Sequence, residues 1–309
     1  MIVKVLGSAA GGGFPQINCN CRNCAGVRGG VPGFRPRTQS SLAISRDGRA
    51  WALLNASPDL RQQIAATPEL GPSPGSVRAS AIKAVVLTNG DVDHVAGLLS
   101  LREGIAFNLY AAERVLATLA DNSICNVLDA ELVPRTPLVM HRTTQLCGPE
   151  GDLGLTVEAF AVPGKLALYL EDPTAGMNFG TREGDTIGLQ ITDTASGVAF
   201  FYIPACAAVD AALASRIRSA QLVLFDGTLY RDDEMIAQGL SAKTGKRMGH
   251  ISMSGPDGSI AALRDLEIGR RVFVHINNSN PVLREDSPER AEVERAGWEI
   301  AFDGMEIRL

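Results

Sequence analysis

Short runs of apolar, β-forming residues recur from end to end of this chain, each stopped by Gly, Asp or Ser-Pro, and this recurrence limits the fold more tightly than any other feature. MIVKVLG, SSLAIS, WALLNA, AIKAVVLTN and FNLYA supply the strands of the first half. Helical stretches lie between them. In SPDLRQQIA the pattern predicts Ser57 as N-cap, Pro58 as the first helical residue and Asp59 as a favourable charge near the helix start. HVAGLLSLREG, ending at Gly104, and AAERVLATLADN also have helical apolar spacing. The second half repeats the theme. LTVEAFAV and LALYL read as strands, TIGLQITDTASGVAFFYIP as a hairpin, and AAVDAALASRIRSA as an Ala-rich helix. The strand QLVLFDGT, a helix near SGPDGSIAALRDL, the strand RRVFVHIN and the helix SPERAEVERAG follow. WEIAFDGMEIRL is expected to close the chain as a hairpin turning at Asp303-Gly304. Two sets of strands, each accompanied by helices, predict an α/β fold in which two sheets pack face to face with helices outside, a four-layer α/β/β/α sandwich. No linker divides the pattern, so residues 1–309 are expected to form a single domain.

Composition excludes several function classes. Hydrophobic residues at 45% and charged ones at 20% describe an ordinary globule with a large core. A net charge of −5 without a basic cluster argues against nucleic-acid binding. No apolar stretch approaches the roughly eighteen residues of a membrane helix, and MIVKVLGSAAGGGFP has too short an apolar segment for a signal peptide. The expectation is a cytoplasmic protein without stable membrane insertion.

Six Cys are too few for a disulfide scaffold in a chain of this length, yet three fall within NCNCRNC as Cys19, Cys21 and Cys24. Free thiols are usually scattered and buried singly. The C-x-C-x-x-C spacing instead lets a tight turn aim three sulfurs at one point, which suits a structural Zn. Cys125, Cys147, Cys206, His141 or a side chain of a distant loop are all open as the fourth ligand. GSAAGGG, just upstream, is not a nucleotide loop: it lacks G-x-G-x-x-G and runs into the Cys cluster rather than a helix.

Of the four His, three follow strand-like or Gly-rich segments: His94 in TNGDVDH, His250 in RMGHIS and His275 in VFVHINNSNP. LVLFDGT puts Asp226 in the same setting. A lone His in a loop is usually a surface group, and an Asp after a strand is usually a turn former. Their coincidence at the ends of apolar runs is harder to explain separately. Strand ends converge on one edge of a layered sandwich, so Asp93, His94, Asp226 and His275 make a candidate metal shell of two imidazoles and two carboxylates. His141, in VMHRTTQ, lacks that setting. HINNSN is expected to orient His275, with Asn278 a candidate to approach the Cys cluster.

LGSAAGGGFPQINCNCRNC, RTQSSLAIS, NASPDLRQQI, DVDHVAGLLSLREG, DGTLYRDDEM, TGKRMGHISMSGP, HINNSNPVLREDSPERAEV and IAFDGMEI occur in that order. With these stretches the chain resembles the metallo-β-lactamase superfamily, and within it the pyrroloquinoline quinone (PQQ) biosynthesis protein B family, over essentially its whole length. In the two-metal hydrolases of that superfamily the first metal uses two His at the positions matching Asn89 and Asp91, and a third from a later loop, here VPGK at 162–165, which has no His. The resemblance therefore implies a first pocket without metal and an intact second one. One metal on two imidazoles and carboxylate, with open positions, is the ligand set of non-haem Fe(II) oxygenases. What the resemblance implies is an Fe(II)- and O2-dependent hydroxylation of the tyrosine ring in a small Glu-Tyr-derived PQQ precursor. Asp93, His94, Asp226 and His275 then hold iron, and His250 matches the non-ligand catalytic His. Asp91 and Lys165 line the vacated pocket and pair with the substrate's charged ends. Arg61, on the SPDLRQQ helix, is a further candidate for a carboxylate, although a solvated helix face is commoner. The loop Glu171 to Gly184 is a candidate lid. Two rivals remain on the same resemblance: a zinc or manganese hydrolase, and a soluble carrier that moves PQQ or its precursor towards the periplasm. Expected partners are the Tyr-derived substrate or PQQ, and a second copy of the chain in a homodimer.

Overall fold

The computed structural model describes residues 1–72, 74–175 and 180–309. The first sheet contains β1 (Ile2–Gly7), β2 (Ser41–Ser45), β3 (Trp51–Leu54), β4 (Ile82–Val86), β5 (Asn108–Ala112) and β6 (Arg135–Leu138) in sequential order. The second contains β7 (Thr143–Gly148), β8 (Gly151–Ala161), β9 (Ile187–Asp193), β10 (Ala199–Ile203), β11 (Leu222–Asp226), β12 (Arg270–Val274) and β13 (Glu299–Ile300), again sequentially. The last strand, β14 (Glu306–Arg308), crosses back to the free edge of β1.

Each sheet changes character part-way. β1, β2 and β3 pair antiparallel, as do β7, β8, β9 and β10, whereas β3 to β6 and β10 to β13 pair parallel. Parallel neighbours need a crossover, and helices supply it: Leu60–Ala66 before β4, Glu113–Asp121 before β6, Ala211–Ile217 before β11, and Pro288–Arg295 before β13. A consequence for function follows directly. The carboxyl ends of β4, β11 and β12 all open onto loops, which is where parallel sheets place ligand groups.

The core explains why these strands are so apolar. Leu222, Leu224, Val272 and Val274 pack into the cluster between the sheets, while their alternate neighbours Val223, Phe225 and Phe273 join a second cluster under the outer helices. Both faces of β11 and β12 are thus covered, and a two-residue period with no polar face results. Trp298 closes the outer cluster, stacked 3.9 Å from Phe273.

Several expectations are corrected. WEIAFDGMEIRL is not a hairpin: β13 pairs parallel with β12 and β14 antiparallel with β1, so Asp303-Gly304 turns the chain from one sheet to the other. Asp303 fixes that turn by accepting bonds from the backbone and hydroxyl groups of both Ser8 and Thr38. LALYL contains a single 3₁₀ turn, Leu168–Leu170, rather than a strand. Ser57 does not cap its helix, which begins at Leu60; its hydroxyl donates to Gln63 Oε1 instead. Only His94 and Val95 of HVAGLLSLREG are α-helical, as the end of the helix Val92–Val95, and the stretch continues as 3₁₀ from Ala96 to Leu101. Among the described residues no helix is long and apolar enough to cross a membrane.

Candidate metal centre

Three strand ends build the site. After β4, the Thr88 backbone and hydroxyl are tied to the Asn55 side chain, and a tight turn carries the chain through Asn89 and Asp91 into the short helix that presents Asp93 and His94. After β11 comes Gly227, where an added Cβ would lie 2.9 Å from Phe273 Cβ and 3.0 Å from the Val274 carbonyl, so only glycine fits between the strands. Beyond it stands Thr228. After β12, His275 adopts φ 56°, a left-handed backbone that non-glycine residues seldom take and that functional sites tend to store.

The side chains then fix one another's protons. Asn89 Oδ1 accepts from the Asp91 backbone N–H at 3.0 Å, which identifies that atom as the amide oxygen. His94 Nδ1 lies 2.7 Å from the same oxygen and must donate to it. Its Nε2 is left with a lone pair, buried and with no hydrogen-bond partner. Thr228 does the same for the second imidazole. Its hydroxyl donates to Asp226 Oδ1 at 2.7 Å, so His275 Nδ1, 2.8 Å away, is the donor to Thr228. His275 Nε2 then faces Asp93 Oδ2 at 3.0 Å. Burial lowers His94 to about 4 against the charge of Asp93, aided by His275 and His250. Burial also works against a charged His275, but the hydrogen bond and charge of Asp93 outweigh it and raise this imidazole. For Asp93 the burial penalty is overcome by His94 and His275, leaving its carboxyl well below the usual range. Without a metal, a proton between Asp93 and His275 stands where a cation would.

The four expected ligands do not form one compact group. Asp93, His94 and His275 bring donor atoms within 4.8 Å of one another, and Asp226, His250 and His275 form a second such group that shares His275. Both oxygens of Asp226 are engaged by the protein: Cys206 N–H and His250 Nδ1 reach Oδ2 at 2.9 and 2.7 Å, and Thr228 takes Oδ1. His250 stacks on His275 with ring centroids 5.3 Å apart. A cavity of about 330 Å³ opens over this cluster, with Asp91, Lys165, Met235, Met248 and His250 in its wall. Arg61, expected to serve a carboxylate, is exposed on its helix and does not line this cavity. The expected lid runs through 176–179, which lie outside the described residues.

Cys19, Cys21 and Cys24 likewise bring their sulfurs within 4.8 Å of one another. Among the described residues Cys125, Cys147, Cys206 and His141 do not join this group, the Cys206 thiol, for instance, donating to the Ala208 carbonyl at 3.0 Å, whereas the expected approach of Asn278 from a distant loop is met. What reaches the sulfurs is Asn278, whose side-chain amide lies 3.1 Å from Cys19, 3.4 Å from Cys24 and 3.7 Å from Cys21. Burial pushes the Cys24 thiol up to about 11, whereas for Cys21 the same penalty is outweighed by backbone N–H and thiol contacts that lower it. Asn278 is three positions after His275, so one loop serves both clusters.

A model of the β-lactamase superfamily domain matches residues 50–276. A coenzyme PQQ synthesis protein B from Methylorubrum extorquens is 54% identical over all of both chains, and another from Rhodopseudomonas palustris is also 54% identical over all of both. The chain belongs to the PQQ synthesis protein B family. A solved family member, Zn2+-bound PqqB from Methylobacterium extorquens, covers all of both chains with a TM-score of 0.94 at 52% identity. A diphosphatase of the PhnP family shares the metallo-β-lactamase fold, with a TM-score of 0.66 at 20% identity over 99% of this chain and 96% of its own. The sandwich, with a mixed sheet in each half, is thus the architecture of the PQQ synthesis protein B family.

Neither Thr228 nor the orienting role of Asn89 was visible in the sequence, because Thr and Asn carry no metal signal of their own. DGT directly after an apolar run is the one cue. Thr228→Val keeps the volume but removes the hydroxyl that sets the His275 tautomer and holds Asp226. It is expected to weaken metal binding at this candidate centre roughly 10–100-fold, read by competition with a chromophoric chelator. Parent-like affinity would remove Thr228 from the site.

Proposed function

We propose that this chain serves PQQ synthesis as an iron-dependent oxygenase that hydroxylates the tyrosine ring of a small Glu-Tyr-derived precursor. One observation carries the reading: the buried, partnerless Nε2 of His94 beside His275 Nε2 and the Asp93 carboxylate. Two imidazoles and one carboxylate are the donor set of non-haem Fe(II) oxygenases. A second ion would need further nitrogen donors on the β4 side, and there stand Asn89, whose amide is committed to His94, and Asp91. The relatives' name supports the pathway.

Ferrous iron, when bound, supplies the redox chemistry that activates O2. The chain's residues do the rest. His94, His275 and Asp93 hold the ion, while Asn89 and Thr228 keep both imidazoles in the metal-binding tautomer. Asp226 takes Nδ1 of His250, leaving Nε2 of that ring to hold or give a proton at the cavity wall. Leu168, Met235 and Met248 supply apolar surface that fits an aromatic ring and excludes water from it. Asp91 and Lys165 pair with the charged ends of the precursor. At the Cys cluster, three thiolates fit zinc, with the Asn278 amide donating to their sulfurs.

The test uses 18O2 and a Glu-Tyr dipeptide. Iron-loaded protein is expected to consume O2 and place one labelled oxygen atom on the ring, and zinc-loaded protein to do neither. Equal turnover with zinc, or an unlabelled product, would overturn the oxygenase. The Zn2+ held by the 52% identical relative favours a zinc hydrolase as the second reading, selected if the zinc form cleaves the peptide without O2 uptake. Binding without turnover in both metal forms selects the soluble carrier of PQQ or its precursor.

A further inference from the structure

Two lysines, Lys165 and Lys243, line the cavity over the histidines. The place of Lys165 is built into the backbone: Gly249 has φ 86°, and a Cβ there would lie 2.7 Å from Lys165 Cγ, so the glycine of RMGH leaves the passage that the lysine stem occupies. The Lys165 ammonium is 2.9 Å from Glu171 Oε1. Arg247 grips the same carboxylate with both prongs, at 3.0 and 2.8 Å. Arg247 and then Lys165 overcome a burial penalty and hold the Glu171 carboxyl at about 2. An ionised carboxylate, with its side chain only 9% exposed, therefore sits against a lysine of the cavity.

Lys243 is different. It is half-buried and lines the same cavity, but among the described residues its ammonium has no carboxylate partner. A partly desolvated ammonium gains from an anion that joins it. Of the cavity's own anions, Asp93 is paired with His275, while Asp91 accepts from the Leu168 backbone N–H at 3.3 Å and feels the charge of Lys165, leaving Lys243 without a carboxylate of its own. Because Arg247 holds Glu171 independently, an incoming carboxylate can take Lys165 without the Glu171 segment leaving its place.

We infer that Lys165 and Lys243 read carboxylates in the cavity, that an acidic ligand draws Lys165 away from Glu171 while Arg247 retains that side chain, and that the ligand class is an aromatic amino-acid derivative bearing free carboxylates. The inference rests on the tyrosine-derived substrate proposed above, and it goes further by naming what selects that substrate.

Binding, not turnover, tests it. Iron-loaded protein is titrated calorimetrically without O2, using Glu-Tyr and its uncharged-side-chain counterpart Gln-Tyr amide. The parent is expected to bind the diacid at least about tenfold more tightly, as charge-assisted contacts require. Lys243→Met brings the two peptides to within about twofold of each other, and Lys243→Arg keeps most of the preference. Glu171→Gln frees Lys165 and tightens the diacid about threefold or more, with the amide unchanged as the control for a disturbed loop. Equal affinity of the parent for the two peptides, failure to bind either, or an undiminished preference in Lys243→Met overturns the inference. A diacid preference without ring hydroxylation leaves the inference standing and defeats the oxygenase.

Discussion

His275→Ala is expected to leave the chain without active-site metal after dialysis and without detectable ring hydroxylation. His275 is the residue that the Asp93 group and the Asp226 group share, so its removal breaks both. Losing a ligand should cost more than the roughly 10–100-fold in affinity that follows from losing a mere orienting partner. A second effect appears in the metal-free chain. The Asp93–His275 pair is 14% and 6% exposed, and truncating one partner strands the other as a buried charge, at a cost of about 3 kcal/mol. Asp93→Asn combined with His275→Ala should then be less destabilised than His275→Ala alone, although equally unable to bind iron. The pH dependence has a definite sign. His275 is raised in the folded chain, so the pair's stabilisation is complete below the ordinary His pKa and is lost as pH rises through the raised folded value. Metal uptake has the opposite preference, because Nε2 must first release its proton. Iron analysis and thermal unfolding of the metal-free variants check both parts. Parent-like iron content in His275→Ala would end the single-metal assignment.

Cys24→Ser is expected to lose one zinc per chain and to unfold several degrees earlier than the parent. Cys24 is fully buried, and its sulfur converges with those of Cys19 and Cys21 under the Asn278 amide. An ion present at a hundred times its Kd stabilises the folded chain by about 2.7 kcal/mol. For a chain of this size that corresponds to a fall in Tm of roughly 5 °C. The same variant should bind active-site iron more weakly, since the loop bearing His275 loses its anchor. Zinc analysis with calorimetric melting decides the matter. A parent that carries no zinc, or a variant that melts with it, rules the cluster out as a structural metal site.

Much of this was legible in the residues. QLVLFDGT and RRVFVHIN announced β11 and β12 because both faces of those strands are covered, which makes them continuously apolar, and their ends announced Asp226 and His275. The misses have a common cause: local chemistry does not specify a distant partner. Asp303-Gly304 has the turn residues of a hairpin, yet the flanking strands pair with β12 and β1, some thirty residues and some three hundred residues away along the chain. LALYL is apolar enough for a strand, but Leu168 and Tyr169 are more than half exposed beside the cavity. Asp226 followed a strand as expected, and only the fold reveals that Cys206, Thr228 and His250 claim both its oxygens. Arg61 lies exposed on its helix and outside the cavity lining, as the commoner reading of such a residue has it. Lys243 lies in a polar loop, where nothing in the sequence separates a cavity lysine from a solvated one.

The turn from Asn277 to Asn280 carries a consequence for reconstitution. Its amides are tied down on every side: Asn23 bonds the Asn278 and Asn280 carbonyls, Asn280 bonds the Gly227 carbonyl, and Asn278 covers the thiols. If the two sites take zinc and iron as proposed, ions added to stripped protein do not commute: zinc first fills the thiols at the far end of this held turn, whereas iron first meets three competing thiols.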